Sequence, residues 1–333
     1  MHACMNLRLS RRRSDEGPAV VRCDLHLHSW HSGPADPWPL GLLAQESYSE
    51  PRAVYGMARR RGMNLVTLTD HDTVAGALEI AALPGTFVSE EVSCVLPGGR
   101  RLHVGVFDIS EAQHEVIARR RTDAEALFAY LAEARIPAAV NHPFSALTGR
   151  RDTADLDRAL SSLDLVEARN GMMSAAVNAG AARAGRVAGR STIGGSDAHT
   201  LASIARAYTI VPDARSRDEF LDGLRRGFTV PAGDSGGYAR LTADLARIAA
   251  FAYGSAARSC LVEATATARL AALLVLLPTL PLLPLASAAV FLHEQVFARR
   301  HERAFVASRR RAGRRRPAAS GPFGPAAAAS HAT

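Results

Sequence analysis

The sequence contains no lysine, and all 40 of its basic residues are arginine. It has only four cysteines, without paired spacing or a zinc-knuckle pattern, so we expect free thiols and a reducing compartment. The first 19 residues include arginines but no long apolar stretch, and a secretory signal is therefore not expected. No G-x-G-x-x-G loop follows the first predicted strand, which argues against an open doubly wound nucleotide-binding sheet.

The formal charge of +8 is concentrated near the C-terminus. Nine arginines lie between Arg299 and Arg316, and Glu302 is the single acidic residue among them. The remainder of the chain is close to neutral. Any attraction to nucleic acid or to anionic lipid is therefore assigned to this tail and not to the rest of the protein.

The segment Cys23–Ser32 reads CDLHLHSWHS and follows an apolar entry. In a strand, the period of two places Asp24, His26 and His28 on one face. Two imidazoles then point in the same direction from one rigid element. Neutral imidazole is a good ligand for zinc, manganese and iron, so the pattern indicates part of a metal site.

Similar polar residues follow later strands along the chain. Apolar strands alternate with predicted helices, and the metal-competent residues recur at the strand ends. An α/β fold with a TIM-like barrel collects such residues on one rim, because the C-terminal ends of its strands converge there. The candidates at this rim are His26, His28, His71, Glu91, His103, His142, Asp197 and His199.

Eight such residues are too many for one metal ion. We expect two or three divalent metals, zinc, manganese or iron, with Glu91 and Asp197 supplying oxygens able to bridge them. A site of this kind can activate a water molecule and neutralise charge on an ester.

The motifs also resemble those of the PHP (polymerase and histidinol phosphatase) superfamily. They are Asp24-Leu-His-Leu-His, Thr69-Asp-His, Glu91-Val-Ser, His103, His142-Pro and Gly195-Ser-Asp-Ala-His199. The resemblance covers roughly residues 20–227. It implies a distorted (β/α)7 barrel, a trinuclear centre and hydrolysis of phosphoester bonds.

The resemblance also implies a ligand set. His26 and His28, with Glu91 and Asp197, would hold the first metal; bridging Glu91, with His103 and His142, would hold the second; His71 and His199 would hold the third. Relatives usually complete the third site with an aspartate or histidine after the first motif, where this chain has Gly33. Either His31 or Asp36 substitutes for it, or the third metal is weak or absent.

Other residues receive supporting roles. Asp24 and Asp70 are predicted to orient the histidines rather than to bind metal. Glu91, rather than Glu90, is predicted to face the site. The predicted catalytic residues are His142, His199 and Asp197, with one of the two histidines protonating the leaving group.

Three further interpretations concern residues outside the predicted ligand set. Glu167 and Asn170 either line the substrate pocket or cap a strand end. Arg150 and Arg151 either clamp a phosphate or lie in a solvated loop. His114 and His293 are predicted to face solvent.

The C-terminal hundred residues continue as helices. The uncharged run 270–292 is long enough to span a bilayer, but Pro278, Pro281 and Pro284 interrupt it. We expect a helical hairpin that packs on the barrel, in a dimer, or shallowly on the inner membrane face of a cytoplasmic protein. The predicted division is a disordered leader (1–19), a hydrolase barrel (20–237), a helical extension (238–300) and a disordered Arg-rich tail (301–333).

The sequence therefore predicts a metal-dependent phosphoesterase acting on a small phosphorylated substrate, either a phosphomonoester or a phosphodiester. Two alternatives remain open. One is a non-catalytic module that binds metal or a phosphorylated ligand and docks through its C-terminal helices. The other is a nuclease that holds nucleic acid with its Arg-rich tail.

Overall fold

The computed structural model describes residues 20–34, 44–149, 152–262 and 279–315. Strands and helices alternate through most of this range, so the predicted α/β class is confirmed. The described residues do not include Asp36, Arg150 or Arg151, nor most of the segments predicted to be disordered. Cys23 and Cys94 are buried free thiols, as expected.

The first sheet has four strands in the order β2-β1-β8-β9. Strand β1 pairs in parallel with β2 and antiparallel with β8, and β9 extends the sheet antiparallel to β8. Every residue from Cys23 to Ser29, at the end of β1 and in the segment that follows it, is buried. The four strands are β1 (Val20–Asp24), β2 (Leu65–Val66), β8 (Ala207–Pro212) and β9 (Val230–Gly233).

The second sheet has five strands in sequence order, β3-β4-β5-β6-β7. The pairs β3/β4 and β4/β5 are antiparallel, whereas β5/β6 and β6/β7 are parallel. The five strands are β3 (Ser89–Val95), β4 (Arg101–Phe107), β5 (Ala138–Val140), β6 (Leu165–Asn170) and β7 (Ser191–Gly195).

The predicted closed (β/α)7 barrel is not established, because the described strands form two separate ladders. Single parallel bridges, Val66 to Thr86 and His71 to Glu91, connect the β2 side to the β3 side. At the other junction, Gly194 of β7 exchanges hydrogen bonds with the Thr209 side chain of β8. A Cβ on Gly194 would lie 2.6 Å from the Tyr208 carbonyl oxygen, so this close approach requires glycine. The two sheets therefore contact each other at two places, between the β2 and β3 sides and between β7 and β8, without a continuous ladder among the described residues.

Nine helices accompany the strands in the described ranges. The sequence predicts one long helix over 112–135, but the structure has two, separated near Asp123. The Asp123 carboxylate accepts hydrogen bonds from the Glu125 and Ala126 amides and so starts a new helix. The helices are α1 (Pro51–Arg60), α2 (Ala75–Ile80), α3 (Glu111–Arg120), α4 (Ala124–Glu133), α5 (Thr153–Ser162), α6 (Ala175–Ala188), α7 (Arg217–Arg226), α8 (Tyr238–Val262) and α9 (Thr279–Arg315).

Helix α9 corrects two predictions about the C-terminal part. Pro284 lies inside this helix instead of ending it, and residues 301–315, predicted as disordered tail, are helical. Arg183 of α6 pairs with Glu302, and Phe305 is buried, so α9 packs against the α/β body. The other half of the predicted hairpin, 270–278, lies outside the described residues.

Part of α9, Pro281–Arg311, is long and apolar enough to cross a membrane by length and composition. Its most apolar stretch of 18 residues has a mean hydropathy of 1.2, and 17% of that stretch is buried within the protein. Membrane contact, the oligomeric state and the domain division as a whole stay predictions.

Candidate metal centre

The first two histidines of the centre lie just after β1. His26 and His28 are each 1% exposed, and the chain around them is held by two neighbouring segments. The Leu27 amide donates to the Thr69 hydroxyl, and the His28 amide donates to the Ala198 carbonyl. The imidazoles are therefore fixed by backbone contacts on both sides of β1.

Glu91 on β3 lies at the middle of the centre. Its Oε2 atom is 3.3 Å from His26 Nε2, 3.5 Å from His28 Nε2 and 3.2 Å from His71 Nδ1. Its Oε1 atom is 3.4 Å from His103 Nδ1 and 3.2 Å from His142 Nε2. One carboxylate thus faces five imidazoles, an arrangement suited to a bridging ligand.

Asp197 and His199 follow β7 on the opposite side of the centre. Asp197 Oδ1 lies 3.5 Å from the Nε2 atoms of both His26 and His28, and 3.7 Å from His199 Nδ1. Asp197 has a φ of 53°, and His142 has a φ of 24°. Both residues have a positive backbone φ, which residues other than glycine seldom adopt. Backbone strain of this kind is typical of functional sites.

Glu46 is a centre residue that the sequence analysis did not include among the candidates. Its Oε2 atom lies 3.2 Å from His71 Nε2, and its Oε1 atom lies 3.6 Å from His199 Nε2. It therefore places a carboxylate beside the two histidines of the predicted third site.

The two predicted substitutes for the missing third-site ligand do not lie here. His31 Nε2 contacts Glu79 Oε1 at 2.5 Å, in a partly exposed pair on the α2 side. Asp36 lies outside the described residues. His31 thus contacts α2, whereas Glu46 lies beside His71 and His199. Which residue completes a third site stays a prediction.

A shell of hydrogen bonds orients the histidines. Glu167 Oε1 lies 2.9 Å from His26 Nδ1, and Glu167 Oε2 accepts from the His142 amide. The sequence predicts that Glu167 lines the substrate pocket or caps a strand end, and its contacts are instead to the His26 ring and the His142 backbone. Asn170 donates to both Glu167 and Asp197, so it joins two carboxylates across the site.

Asp70 acts on His28 through an intermediate residue. Its Oδ1 atom accepts from the Ser32 hydroxyl, whose oxygen lies 2.9 Å from His28 Nδ1. Asp24 accepts from the backbone amides of His26, Ser196 and Ala205. These contacts agree with orienting roles for both aspartates.

Glu90 alternates with Glu91 and faces away from the centre. Both Glu90 carboxylate oxygens lie within 3.0 Å of His114 Nδ1. The prediction that His114 faces solvent is therefore wrong, because this buried carboxylate holds its ring against the protein. His293, predicted likewise, is exposed, with its ring centroid 6.0 Å from that of Phe297.

Burial and neighbouring charges determine which groups are ionised. Burial, together with the nearby His199 and His71 rings, lowers the pKa of His28 to about 3, so its imidazole is neutral and able to bind metal. Burial alone would lower the pKa of His71, but Glu91 and Glu46 outweigh it and raise the pKa to about 9. Burial alone would raise the pKa of Glu91, yet His26, His103 and His71 hold it well below its usual range. Metal ions would replace the proton on His71.

The donor set fits divalent metal ions. Among the described residues, four groups of three side chains each bring their ligand atoms within 4.8 Å of one another. Together they contain all eight predicted ligands, and Glu91 belongs to two of the groups. Several of these atoms are buried without a hydrogen-bond partner, which is costly unless a cation binds them. The unpartnered atoms of the centre are His26 Nε2, His28 Nε2, His71 Nδ1, Glu91 Oε2, His103 Nδ1 and His142 Nδ1.

The centre opens into a cavity of about 600 Å³. Glu46, Glu91, Asp197 and several of the histidines line its base, and the loop from Ser145 to Gly149 forms one wall. The volume lies within the range of roughly 300–1,000 Å³ that is usual for small-molecule sites.

Comparisons with known proteins give one local family match and several distant likenesses. Residues 177–229 match a family model described as PHP-associated. An uncharacterized protein of Methanocaldococcus jannaschii is 35% identical over 72 residues, which cover 22% of this chain and 41% of that protein. The chain thus spans less than half the length of this curated relative.

Two solved structures overlap with about two thirds of the chain. A two-domain protein from Bacteroides vulgatus, containing a predicted PHP-like metal-dependent phosphoesterase, is 16% identical with a TM-score of 0.48, and the overlap covers 65% of each chain. PsfC from Pseudomonas syringae is 15% identical with a TM-score of 0.46, and the overlap covers 65% of this chain and 92% of PsfC. Both scores lie below 0.5, so neither likeness assigns an activity to this chain.

The PHP-associated match begins in α6 and ends just before β9, and so contains the segment that supplies Asp197 and His199. This is the last of the motifs on which the resemblance rests. The resemblance of this chain to the PHP superfamily, predicted from those motifs, is therefore confirmed.

Proposed function

We propose that the protein is a metal-dependent phosphoesterase that hydrolyses a phosphomonoester or phosphodiester with a metal-activated water. The observation that carries the proposal is the convergence of unpartnered, buried imidazole and carboxylate atoms at the base of one cavity. A non-catalytic domain has little reason to keep so many costly buried groups together.

Three sets of residues would hold the metals. His26 and His28 with Glu91 and Asp197 form one set, and Glu91 with His103 and His142 forms the second. His71 and His199 form the third set, with Glu46 as its carboxylate. Bound divalent ions would lower the pKa of a water molecule and neutralise charge on the phosphoester oxygens.

The chain itself contributes orientation and proton transfer. Glu167 holds the His26 ring in one orientation, and the Asp70–Ser32 pair does the same for His28. His142 and His199 both line the cavity, so either can reach a leaving-group oxygen and give it a proton. A fixed arrangement of this kind lowers the reorganisation needed during reaction.

Metal removal tests the proposal directly. Protein purified without chelators is expected to contain two or three divalent ions per chain and to hydrolyse an aryl phosphate or a phosphodiester. Dialysis against a chelator should abolish turnover, and addition of zinc, manganese or iron should restore it. Full turnover in protein shown to be free of metal, or loaded protein inactive on every phosphoester tried, would contradict the proposal.

The third metal position gives a second prediction. Glu46→Gln is expected to remove one ion per chain while the other ions stay bound, because Glu46 contacts only the His71 and His199 side of the centre. Metal content measured by mass spectrometry checks this result. The matched control is His31→Ala, which breaks the contact with Glu79 and should leave the metal count unchanged. Loss of metal in the control but not in Glu46→Gln would restore His31 as the ligand.

The binding-module and nuclease alternatives, a cytoplasmic location and nucleic-acid contact through the Arg-rich tail stay predictions. Arg309, one of the tail arginines, pairs with Asp157 of α5. Truncation after residue 309 removes five of the nine tail arginines. Hydrolysis of oligonucleotides that falls in this variant, with small esters unaffected, would favour the nuclease.

A further inference from the structure

A second cavity, of about 350 Å³, lies between the two C-terminal helices and the metal centre. Helix α8 supplies one wall and α9 supplies the opposite wall, and two methionines contribute from the loop after β6. The walls are apolar. The aliphatic and aromatic lining residues are Leu147, Met172, Met173, Val177, Leu241, Leu245, Ile248, Ala249, Val290 and Phe291.

This apolar pocket is continuous with the metal centre. The two cavities share five lining residues, which are Glu46, Leu147, Met173, Asp197 and His199. A molecule whose phosphate lies at the metal ligands can therefore extend its other end directly between α8 and α9.

Most polar groups at the pocket already have partners within the protein. Asp244 accepts from Thr200 and Ser203, and Gln295 donates to Ser174. Glu294 Oε1 accepts from two backbone amides of the loop after β5. Glu294 Oε2 is buried without a partner, and the residue is 6% exposed.

We infer that this apolar pocket binds the alcohol part of the substrate, and that the substrate is an amphiphilic phosphoester with an alkyl or aryl leaving group. The inference rests on the proposed function. In the reaction, water attacks phosphorus, the bond from phosphorus to the alcohol oxygen breaks, and a new bond to the water oxygen forms. One water proton goes to the departing alcohol, so that R–OPO₃²⁻ and H₂O give R–OH and HPO₄²⁻.

The chemistry of the walls favours an apolar group over a sugar or a nucleobase. A sugar would place several hydroxyls in the pocket, and each would need a partner to avoid a desolvation cost. Glu294 Oε2 can satisfy one such group, whereas the other carboxylate and amide groups named above are already engaged. An alkyl chain needs no partner and gains free energy with each methylene that leaves water.

A series of alkyl phosphates tests the inference on the metal-loaded, full-length protein. From methyl through butyl to octyl phosphate, kcat/KM is expected to rise roughly fourfold per methylene until the pocket is full. Calorimetric binding of octylphosphonate and methylphosphonate, neither of which is hydrolysed, measures the same preference without turnover.

Two neighbouring alanines of α8 provide a matched pair of variants. Ala249 lines the pocket, whereas Ala250 is exposed on the same helix turn. Ala249→Phe should reduce the octyl-to-methyl ratio by about tenfold or more, because its ring takes up space needed by the chain. Ala250→Phe should leave the ratio unchanged. Turnover of methyl phosphate shows that each variant is folded.

The outcomes separate the inference from the proposed function. A chain-length preference that Ala249→Phe removes and Ala250→Phe keeps supports both. Turnover without any chain-length preference overturns the inference alone. Tighter binding of octylphosphonate without hydrolysis of any ester contradicts the proposed function while supporting the pocket.

Discussion

The Glu91→Gln variant is expected to lose most of its bound metal and to hydrolyse phosphoesters more than about 100-fold more slowly. Mutation of a residue that only supports a metal ligand already lowers metal affinity or activity by up to about 100-fold, and Glu91 is a predicted ligand itself. The reason is the position of the carboxylate between five imidazoles, with Oε1 and Oε2 each facing different rings. An amide has only one oxygen and cannot bridge two cations. Metal content and kcat/KM, measured on the same samples, check the prediction.

Glu90→Gln is the matched control for that variant. Glu90 is adjacent in sequence and equally buried, but it contacts His114 on the other face of β3. The amide can keep a hydrogen bond to that ring, so metal content and turnover should remain close to those of the wild type. If Glu91→Gln retains full metal content and activity, the assignment of Glu91 as the central ligand is wrong.

Asp24→Ala is expected to lower the free energy of unfolding by about 3 kcal/mol or more, since each buried donor left unpaired costs about 1–3 kcal/mol. The Asp24 carboxylate accepts from three backbone amides and from the Ser196 hydroxyl, and it is 1% exposed. These bonds attach the end of β1 to the segment after β7. Urea unfolding in the presence of a chelator measures the effect without a contribution from metal binding.

Two further variants define what the Asp24 result means. Asp24→Asn keeps one carbonyl oxygen and should cost less than the alanine variant. Asp222→Ala removes an exposed carboxylate on α7 and should change stability by less than about 0.5 kcal/mol. Equal stabilities for Asp24→Ala and Asp222→Ala would show that the buried hydrogen bonds contribute nothing.

The sequence alone indicated most of the centre because its ligands follow strands. Four of the ligands lie within a predicted apolar strand or just after its end: His26, His28, Glu91 and Asp197. Strand periodicity is a local property of the sequence, so these positions can be predicted without the fold. The structure brings these and the other four predicted residues within a few ångström of Glu91 or Asp197. Their roles as ligands stay predictions until metal is measured.

Glu46 could not have been found in this way. It follows no predicted strand, and only the fold determines that its carboxylate lies beside His71 and His199. The same is true of Glu294, which lies some 150 residues from the loop that it binds, and of the pairing between Glu90 and His114. Each of these contacts depends on how distant elements pack, and no periodicity encodes that.

The sequence by itself determined the α/β class, the concentration of charge in the tail and the set of metal-competent residues, because these follow from composition and from local periodicity. Only the tertiary structure decided that the strands form two sheets, that Pro284 lies inside a helix and that α8 and α9 enclose an apolar pocket beside the centre. Sheet closure and helix packing depend on side chains far apart in the chain, and their free energies become defined only when those side chains meet.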